Sequence, residues 1–197
     1  MKLQKNKPVY ALRTLFTLLF FTSVSCGQVA REPVSKDQAL RGVKVSNATG
    51  WKEAVSDRGH FRILFPGEPT VVEDGEPAGL QGYKLITGEK NWVSYRYDYP
   101  EPKSDDETQI RGAYRRSVEA ITQRRGAKLL RQSDVRLNGW LGAEFVIESP
   151  GAISYMRAFH VHGRLFTLSV DVKQAGEVNP AVPPDVQQFF DSFTFWD

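Results

Sequence analysis

The segment that decides the fold is residues 140–173, which read WLGAEFVIESPGAISYMRAFHVHGRLFTLSVDVK. Three times along it, apolar residues alternate with polar or small ones, which is the period-2 pattern of a strand with one buried face. The predicted strands cover residues 141–148, 153–161 and 164–172. His162 and Gly163 separate the last two strands as a two-residue turn, because glycine readily adopts the positive φ that such turns need.

The apolar residues of the last two strands predict their register. If Val161 pairs with Arg164, the large side chains meet across the hairpin: Phe159 with Phe166, Tyr155 with Val170 and Ile153 with Val172. A slip of one residue would scatter these side chains over both faces. We expect Phe145 of the first strand to lie on the same face as the two phenylalanine rings, under a helix predicted over residues 110–121.

Patterns outside this segment predict the remaining elements. Further strands are expected at residues 61–65, 83–87, 92–99 and 128–137. We prefer a three-residue loop that pairs Leu137 with Leu141 to a two-residue Asn138-Gly139 turn, which would misalign the apolar faces. The main helix follows a capping box at residues 104–107 and ends at Gly126, and a short helix covers residues 185–192. Short turns between neighbouring strands favour an antiparallel sheet of about six to seven strands packed by helices, an α+β fold.

The first 25 residues have the pattern of a signal peptide. Four basic residues precede an apolar run over residues 15–24, which is too short to span a bilayer. Cys26 follows a small residue, as in the lipobox of bacterial lipoproteins, although Ser23 stands where leucine is usual. We therefore predict export and lipidation of Cys26, with ordinary signal-peptidase cleavage as the alternative. Residues 26–50 are then a tether, and residues 51–197 form a single domain.

The charge balance argues against nucleic-acid binding. The leader holds four of the 26 Lys and Arg residues and none of the 23 Asp and Glu residues, so the remaining chain has a formal charge of −1. The basic pI of the whole sequence is therefore a property of the leader. Because Cys26 is the only cysteine, the chain forms no internal disulfide and the core alone must stabilise it.

Three residues are candidates for ligand binding. Arg157 interrupts the apolar row of its strand, where it either pairs with Glu144 or Glu148 or binds an anion in a pocket. Tyr95 and Tyr97 alternate on a predicted strand, and they belong either to a recognition surface or to the core.

Basic residues concentrate between positions 111 and 136, where Glu119 and Asp134 are the only acidic residues. Such a patch binds anionic lipid headgroups or an acidic partner, unless it is an ordinary solvated helix face. Its members are Arg111, Arg115, Arg116, Arg124, Arg125, Lys128, Arg131 and Arg136.

Two histidines have a spacing that some zinc sites use. His160 and His162 need a third ligand, for which His60 and Glu144 are the only candidates, so a polar hairpin end is the simpler interpretation. The sequence contains no G-x-S-x-G and no H-E-x-x-H motif. We predict no catalytic residue and no cofactor.

Three segments carry a resemblance to a known family. Residues 61–69 (FRILFPGEP), 93–100 (VSYRYDYP) and 189–193 (FFDSF) resemble exported bacterial domains of the PsbP/Mog1-like type. The resemblance implies an α/β/α sandwich around an antiparallel sheet over about residues 55–197. Relatives include an accessory subunit of the photosynthetic water-oxidising complex and a regulator of a small GTPase, and they share no catalytic motif. By analogy of fold, it implies a binding or assembly module.

We therefore expect a non-enzymatic extracytoplasmic lipoprotein module that binds a protein partner or assists assembly of an envelope complex. The alternative is a small-molecule or metal-binding domain that uses Arg157 or the pair His160 and His162. Binding to nucleic acid is not expected, and contact with the membrane is expected only through the lipid at Cys26.

Overall fold

A computed structural model of the chain describes residues 43–45, 50–73, 80–98, 105–174 and 179–196. The predicted signal peptide, Cys26 and most of the predicted tether lie outside these residues, as do Tyr99 and Ser104.

The larger of two antiparallel sheets contains the segment that the sequence analysis starts from. Its seven strands lie in the order β4-β5-β6-β10-β9-β8-β7. Their bounds are Thr70–Glu73 (β4), Gln81–Thr87 (β5), Lys90–Asp98 (β6), Lys128–Leu137 (β7), Trp140–Ser149 (β8), Ala152–Val161 (β9) and Arg164–Lys173 (β10). Val161 pairs with Arg164 and Phe159 with Phe166, so the predicted register of the β9–β10 hairpin is confirmed.

The smaller sheet joins the two ends of the described chain. Its strands lie in the order β1-β2-β3-β11, with bounds Val43–Val45 (β1), Lys52–Ser56 (β2), Phe61–Phe65 (β3) and Thr194–Phe195 (β11). β1 falls within the predicted tether, yet it pairs with β2 through Val43 and Ala54. The folded domain therefore includes a strand from the segment that was predicted to be a tether.

Two helices complete the described fold, which confirms the predicted α+β class. Helix α1 spans Glu107–Arg125 and α2 spans Pro184–Asp191. The side chain of Asp106, rather than a serine, caps α1 by accepting a hydrogen bond from the backbone N–H of Gln109 (2.9 Å). Gly126 ends α1 in the left-handed conformation, with φ 59°, as predicted.

Each face of the larger sheet packs against a separate hydrophobic core. One face packs against the smaller sheet and α2, in a core that contains Phe61, Phe65, Trp92, Phe159, Phe166, Phe189 and Phe193. The other face packs against α1, in a core that contains Ile110, Tyr114, Val118, Ile121, Leu141, Phe145 and Ile147. The α2 residues Val186, Phe189 and Phe190 are buried.

Phe145 lies under the helix as expected, but the expectation that it shares a face with Phe159 and Phe166 was wrong. Phe145 lies opposite Met156, whereas Val146 lies opposite Tyr155, so Phe145 faces α1 and the rings of Phe159 and Phe166 face the smaller sheet. Every residue of β8 from Leu141 to Ile147 is buried. Because both faces are covered, the glycine and glutamate that alternate with apolar residues in this strand do not mark a solvent face.

The preferred three-residue loop before β8 was also wrong. Leu137 pairs with Trp140 across a two-residue turn, in which Asn138 (φ 52°) and Gly139 (φ 85°) both have positive φ, as type I′ turns require. Leu137 and Trp140 pack against the core beside the smaller sheet. A register shift between Leu129 and Arg131 changes which face the residues of β7 point to, and Leu129 packs on the α1 side.

Gly142 lets β8 and β9 approach closely, so its replacement should destabilise the fold. A Cβ at position 142 would lie 2.4 Å from Phe159 Cδ1 and 2.6 Å from the Ala158 carbonyl oxygen. We expect Gly142→Ala to lower the free energy of unfolding by about 1–3 kcal/mol, the usual cost of overpacking, as measured by urea denaturation.

Gly112→Ala on α1 is the matched control. Its Cβ would meet only the tip of the flexible Arg116 side chain, at 3.3 Å. This variant should be neutral or up to about 1 kcal/mol more stable, because alanine favours a helix. Equal unfolding midpoints for Gly142→Ala and the wild type would contradict the close approach.

Candidate functional site

Arg157 lies within a network of ion pairs that joins three strands to α2. It pairs with Glu144 across β9 and β8. Its Nε donates a hydrogen bond to Glu144 Oε2 (2.7 Å), and its Nη1 donates to Asp191 Oδ1 (2.8 Å) at the end of α2. The guanidinium carbon lies 4.9 Å from the centroid of the Phe190 ring.

Glu144 is the buried centre of this network. Its side chain is 8% exposed, and its second oxygen accepts a hydrogen bond from Arg131 Nη2 on β7 (2.6 Å). A buried carboxylate is stable only when paired, and here each of its oxygens has an arginine partner. The structure thus gives Arg157 the carboxylate partner that the sequence analysis considered. Arg131 and Asp191 were missed because only the folded chain brings them to Glu144 and Arg157.

Tyr95 and Tyr97 lie on the opposite face of the sheet from Arg157. Tyr95 pairs with Thr167 across β6 and β10, and Tyr97 pairs with Leu165. Burial raises the pKa of Tyr95, and a hydrogen bond with the Thr167 side chain partly opposes this shift. The three predicted ligand-binding residues therefore do not form one site.

The strands β5 and β6 carry an apolar surface on the side of α1, which we call the aromatic face. Its apolar members are Ile86, Val93, Tyr95 and Tyr97, and the exposed Lys84, which pairs with Val93, lies between Ile86 and Tyr95. Helix α1 packs against β8 and β9, as the hydrogen bond from Tyr114 to the Ala158 carbonyl (3.1 Å) shows, and the hydrophobic core on this side of the sheet contains no described residue of β5 or β6. Ile86 is 70% exposed, and the other three apolar side chains are partly buried.

The structure divides the predicted basic patch. Arg111 donates to Asp134 (Nε to Oδ2, 2.9 Å), and Arg136 donates to Glu107 (Nη2 to Oε1, 2.8 Å). The hydrogen bond from Arg136 lowers the pKa of Glu107. Arg131 lies on the other side of the sheet, with Glu144.

The remaining members of the basic patch divide into two groups. Arg115, Arg116 and Lys128 are exposed. The side chains of Arg124 and Arg125 are outside the described part of the chain. Of the original eight residues, three therefore have carboxylate partners and three present free surface charge.

The two histidines occupy different surroundings. His160 is buried on β9. His162 lies in the following turn, where its backbone N–H donates to Asp105 Oδ1 (3.0 Å) and its Nδ1 lies 3.0 Å from Asp105 Oδ2. The ring of His162 also meets Trp140 edge to face, with centroids 4.5 Å apart. His162 thus links the β9–β10 turn to the start of α1.

The described residues also bear on metal binding and on membrane insertion. Within them, no three His, Cys, Asp or Glu side chains form a group that could hold a metal ion. No helix in this part of the chain is both long and apolar enough to cross a membrane.

The fold is similar to that of two solved proteins. No protein-family model matches the sequence, and no curated protein matches it either. The cyanobacterial PsbP protein CyanoP of Synechocystis has 13% identity and a TM-score of 0.51, over 78% of this chain and 98% of that one. The Ran-binding protein Mog1p of Saccharomyces cerevisiae has 13% identity and a TM-score of 0.50, over 75% and 96% of the two chains. The chain thus has a PsbP/Mog1-like fold, and no residue's role is transferred at this identity.

Removing Arg157 should destabilise the protein through Glu144. Arg157→Met leaves the buried carboxylate with Arg131 as its remaining arginine partner. We expect the free energy of unfolding to fall by about 2–4 kcal/mol, measured by urea denaturation. In the double variant Glu144→Gln, Arg157→Met the loss should be smaller than the sum of the two single losses, because no buried charge is left with a missing partner. Strict additivity would show that the two side chains are not coupled.

Asp191 should make a small, pH-dependent contribution to stability. Burial raises its pKa, but hydrogen bonds from Gln187 and Arg157 outweigh this and hold the pKa below the ordinary value of 3.8. A lowered folded-state pKa stabilises the protein above pH 3.8, and this contribution is lost as the pH falls through the folded-state pKa.

The variant Asp191→Asn isolates this contribution. Because the side chain is 57% exposed, we expect a loss of less than about 1 kcal/mol at neutral pH. The difference between wild type and variant should shrink in urea titrations at progressively lower pH. A difference that grows on acidification would contradict the assigned direction of the shift.

Proposed function

We propose that this protein is an exported, lipid-anchored and non-enzymatic module that binds a protein partner through the aromatic face. The single observation that carries the proposal is the exposure of Ile86, which is 70% exposed on the face of the sheet that also carries Val93 and the two tyrosines of β6. Exposed apolar and aromatic side chains grouped on one surface are typical of recognition sites. Burial of this surface against a partner would remove apolar area from water without unfolding any described element.

Two further observations support the proposal. Mog1p, which shares the fold, is a Ran-binding protein, so the fold can serve recognition of another protein. In the sequence, a basic and apolar leader precedes the single Cys26, which supports export and attachment through a lipid. The residues between Cys26 and β1 would then hold the domain away from the membrane.

Site-specific photocrosslinking in cells tests the binding surface. A photoreactive amino acid at Ile86 should yield a discrete crosslinked species, because this side chain is the most exposed of the aromatic face. The matched control is Thr108 on α1, which is also exposed but lies outside the aromatic face. Ile86→Asp should abolish the complex and leave the melting temperature unchanged, since an exposed substitution seldom alters stability.

Crosslinking at both positions alike, or at neither, would refute the aromatic face as the binding surface. In the same cells, Cys26→Ser should move the protein from the membrane fraction to the soluble fraction. Retention of this variant in membranes would refute the lipid anchor independently of the partner.

A further inference from the structure

We propose that two copies of this chain associate through their β7 strands, so that the larger sheet continues from one copy into the other. β7 lies at the end of the strand order, with ten residues, whereas β4 at the opposite end has four. Among the described strands, only β8 pairs with β7. An unpaired edge of this length is a template for another strand, because its outward backbone groups lack partners within the sheet.

The turn before β8 determines which backbone groups of β7 are available. In a two-residue hairpin, the residues that flank the turn exchange backbone hydrogen bonds, here Leu137 and Trp140. The register is constant from Arg131 to Leu137. The N–H and C=O groups of alternate residues, Arg136, Asp134 and Gln132, therefore point away from β8. The register shift beyond Arg131 limits the regular free edge to residues 131–137.

The side chains of this edge select one register for a second copy. Antiparallel pairing about a two-fold axis at Val135 places Val135 opposite itself, and Asp134 opposite Arg136 of the second copy on the α1 side. Both Asp134–Arg136 pairs then form, and their outward backbone groups face each other. An axis at Asp134 would instead place the two Asp134 carboxylates opposite each other. An axis at Ser133 would place Val135 of one copy opposite Arg131 of the other.

The charged side chains are already held on the correct side of this edge. Asp134 accepts a hydrogen bond from Arg111 of α1, and Arg136 donates to Glu107 of the same helix. Their side chains remain 50% and 52% exposed. Pairing would extend these contacts into a row of alternating charges that runs through both copies.

Cysteine crosslinking of the full chain tests both the contact and its register. In a Cys26→Ser background, Val135→Cys should form a disulfide-linked dimer on mild oxidation, because directly opposed residues have Cβ atoms about 4.5–5.5 Å apart. Ser133→Cys is the matched control on the same face, since its counterpart in the second copy would be four residues away, about 13 Å. Asp134→Cys tests the competing axis at Asp134, which would place residue 134 opposite itself and favour a disulfide there.

Charge substitutions provide a second measurement, by sedimentation of the same chain over a range of concentrations. Arg136→Glu should weaken dimerisation about tenfold, because two attractive pairs become repulsive. The exchange Asp134→Arg, Arg136→Asp should restore it. Equal crosslinking at the three positions, preferential crosslinking at residue 133 or 134, or a monomer at every concentration would each overturn the proposal. None of these results depends on Ile86, which lies on β5, so the partner surface is tested separately.

Discussion

The burial of β8 on both faces is the constraint on which the rest of the structure depends. Its side chains from Leu141 to Ile147 are all buried, so the sheet needs a cover on each side. Helix α1 covers one face, and the smaller sheet with α2 covers the other. Glu144 is the one charge in this run, and burying it requires the arginines that surround it. The ion-pair network is therefore a consequence of where the sheet lies.

Local pattern was sufficient to predict most strands, the β9–β10 register and the end of α1 at Gly126. It was insufficient for Phe145, because alternation shows which residues share a face but not whether the opposite face meets water or a second layer. Gly142 and Glu144 resembled solvent-facing positions. The assumption that this face of β8 meets water also led to the wrong loop before β8, because no core was expected on the side where Leu137 and Trp140 pack. The second layer, which consists of the smaller sheet and α2, is built from segments that are distant in sequence from β8.

In the candidate site as well, contacts within the central segment could be predicted from the sequence, and contacts with distant segments could not. Glu144 was identified as a partner of Arg157 because both lie in the central segment, and Asp191 was not because only the folded chain brings α2 to this position. Tyr95 and Arg157 were assigned together, although the β6–β10 register places them on opposite faces. The basic cluster was continuous in sequence, but strand alternation directs Arg131 away from Arg136 and Arg111. The failures at Asp191 and Tyr95 required long-range contacts that composition does not encode, whereas the opposite faces of Arg131 and Arg136 follow from alternation along a single strand.

The small closing strand β11 also affects when this protein can fold. Arg62 donates a hydrogen bond to Thr194 across a separation of 132 residues, and Phe193 packs against Phe61 in the same core. The aromatic interior therefore stays incomplete until Phe193 and the two residues of β11 have joined it. During synthesis, the core around Phe61 cannot close before Phe193 and β11 have left the ribosome. The order of the strands along the chain, and not stability alone, thus determines when this core can form.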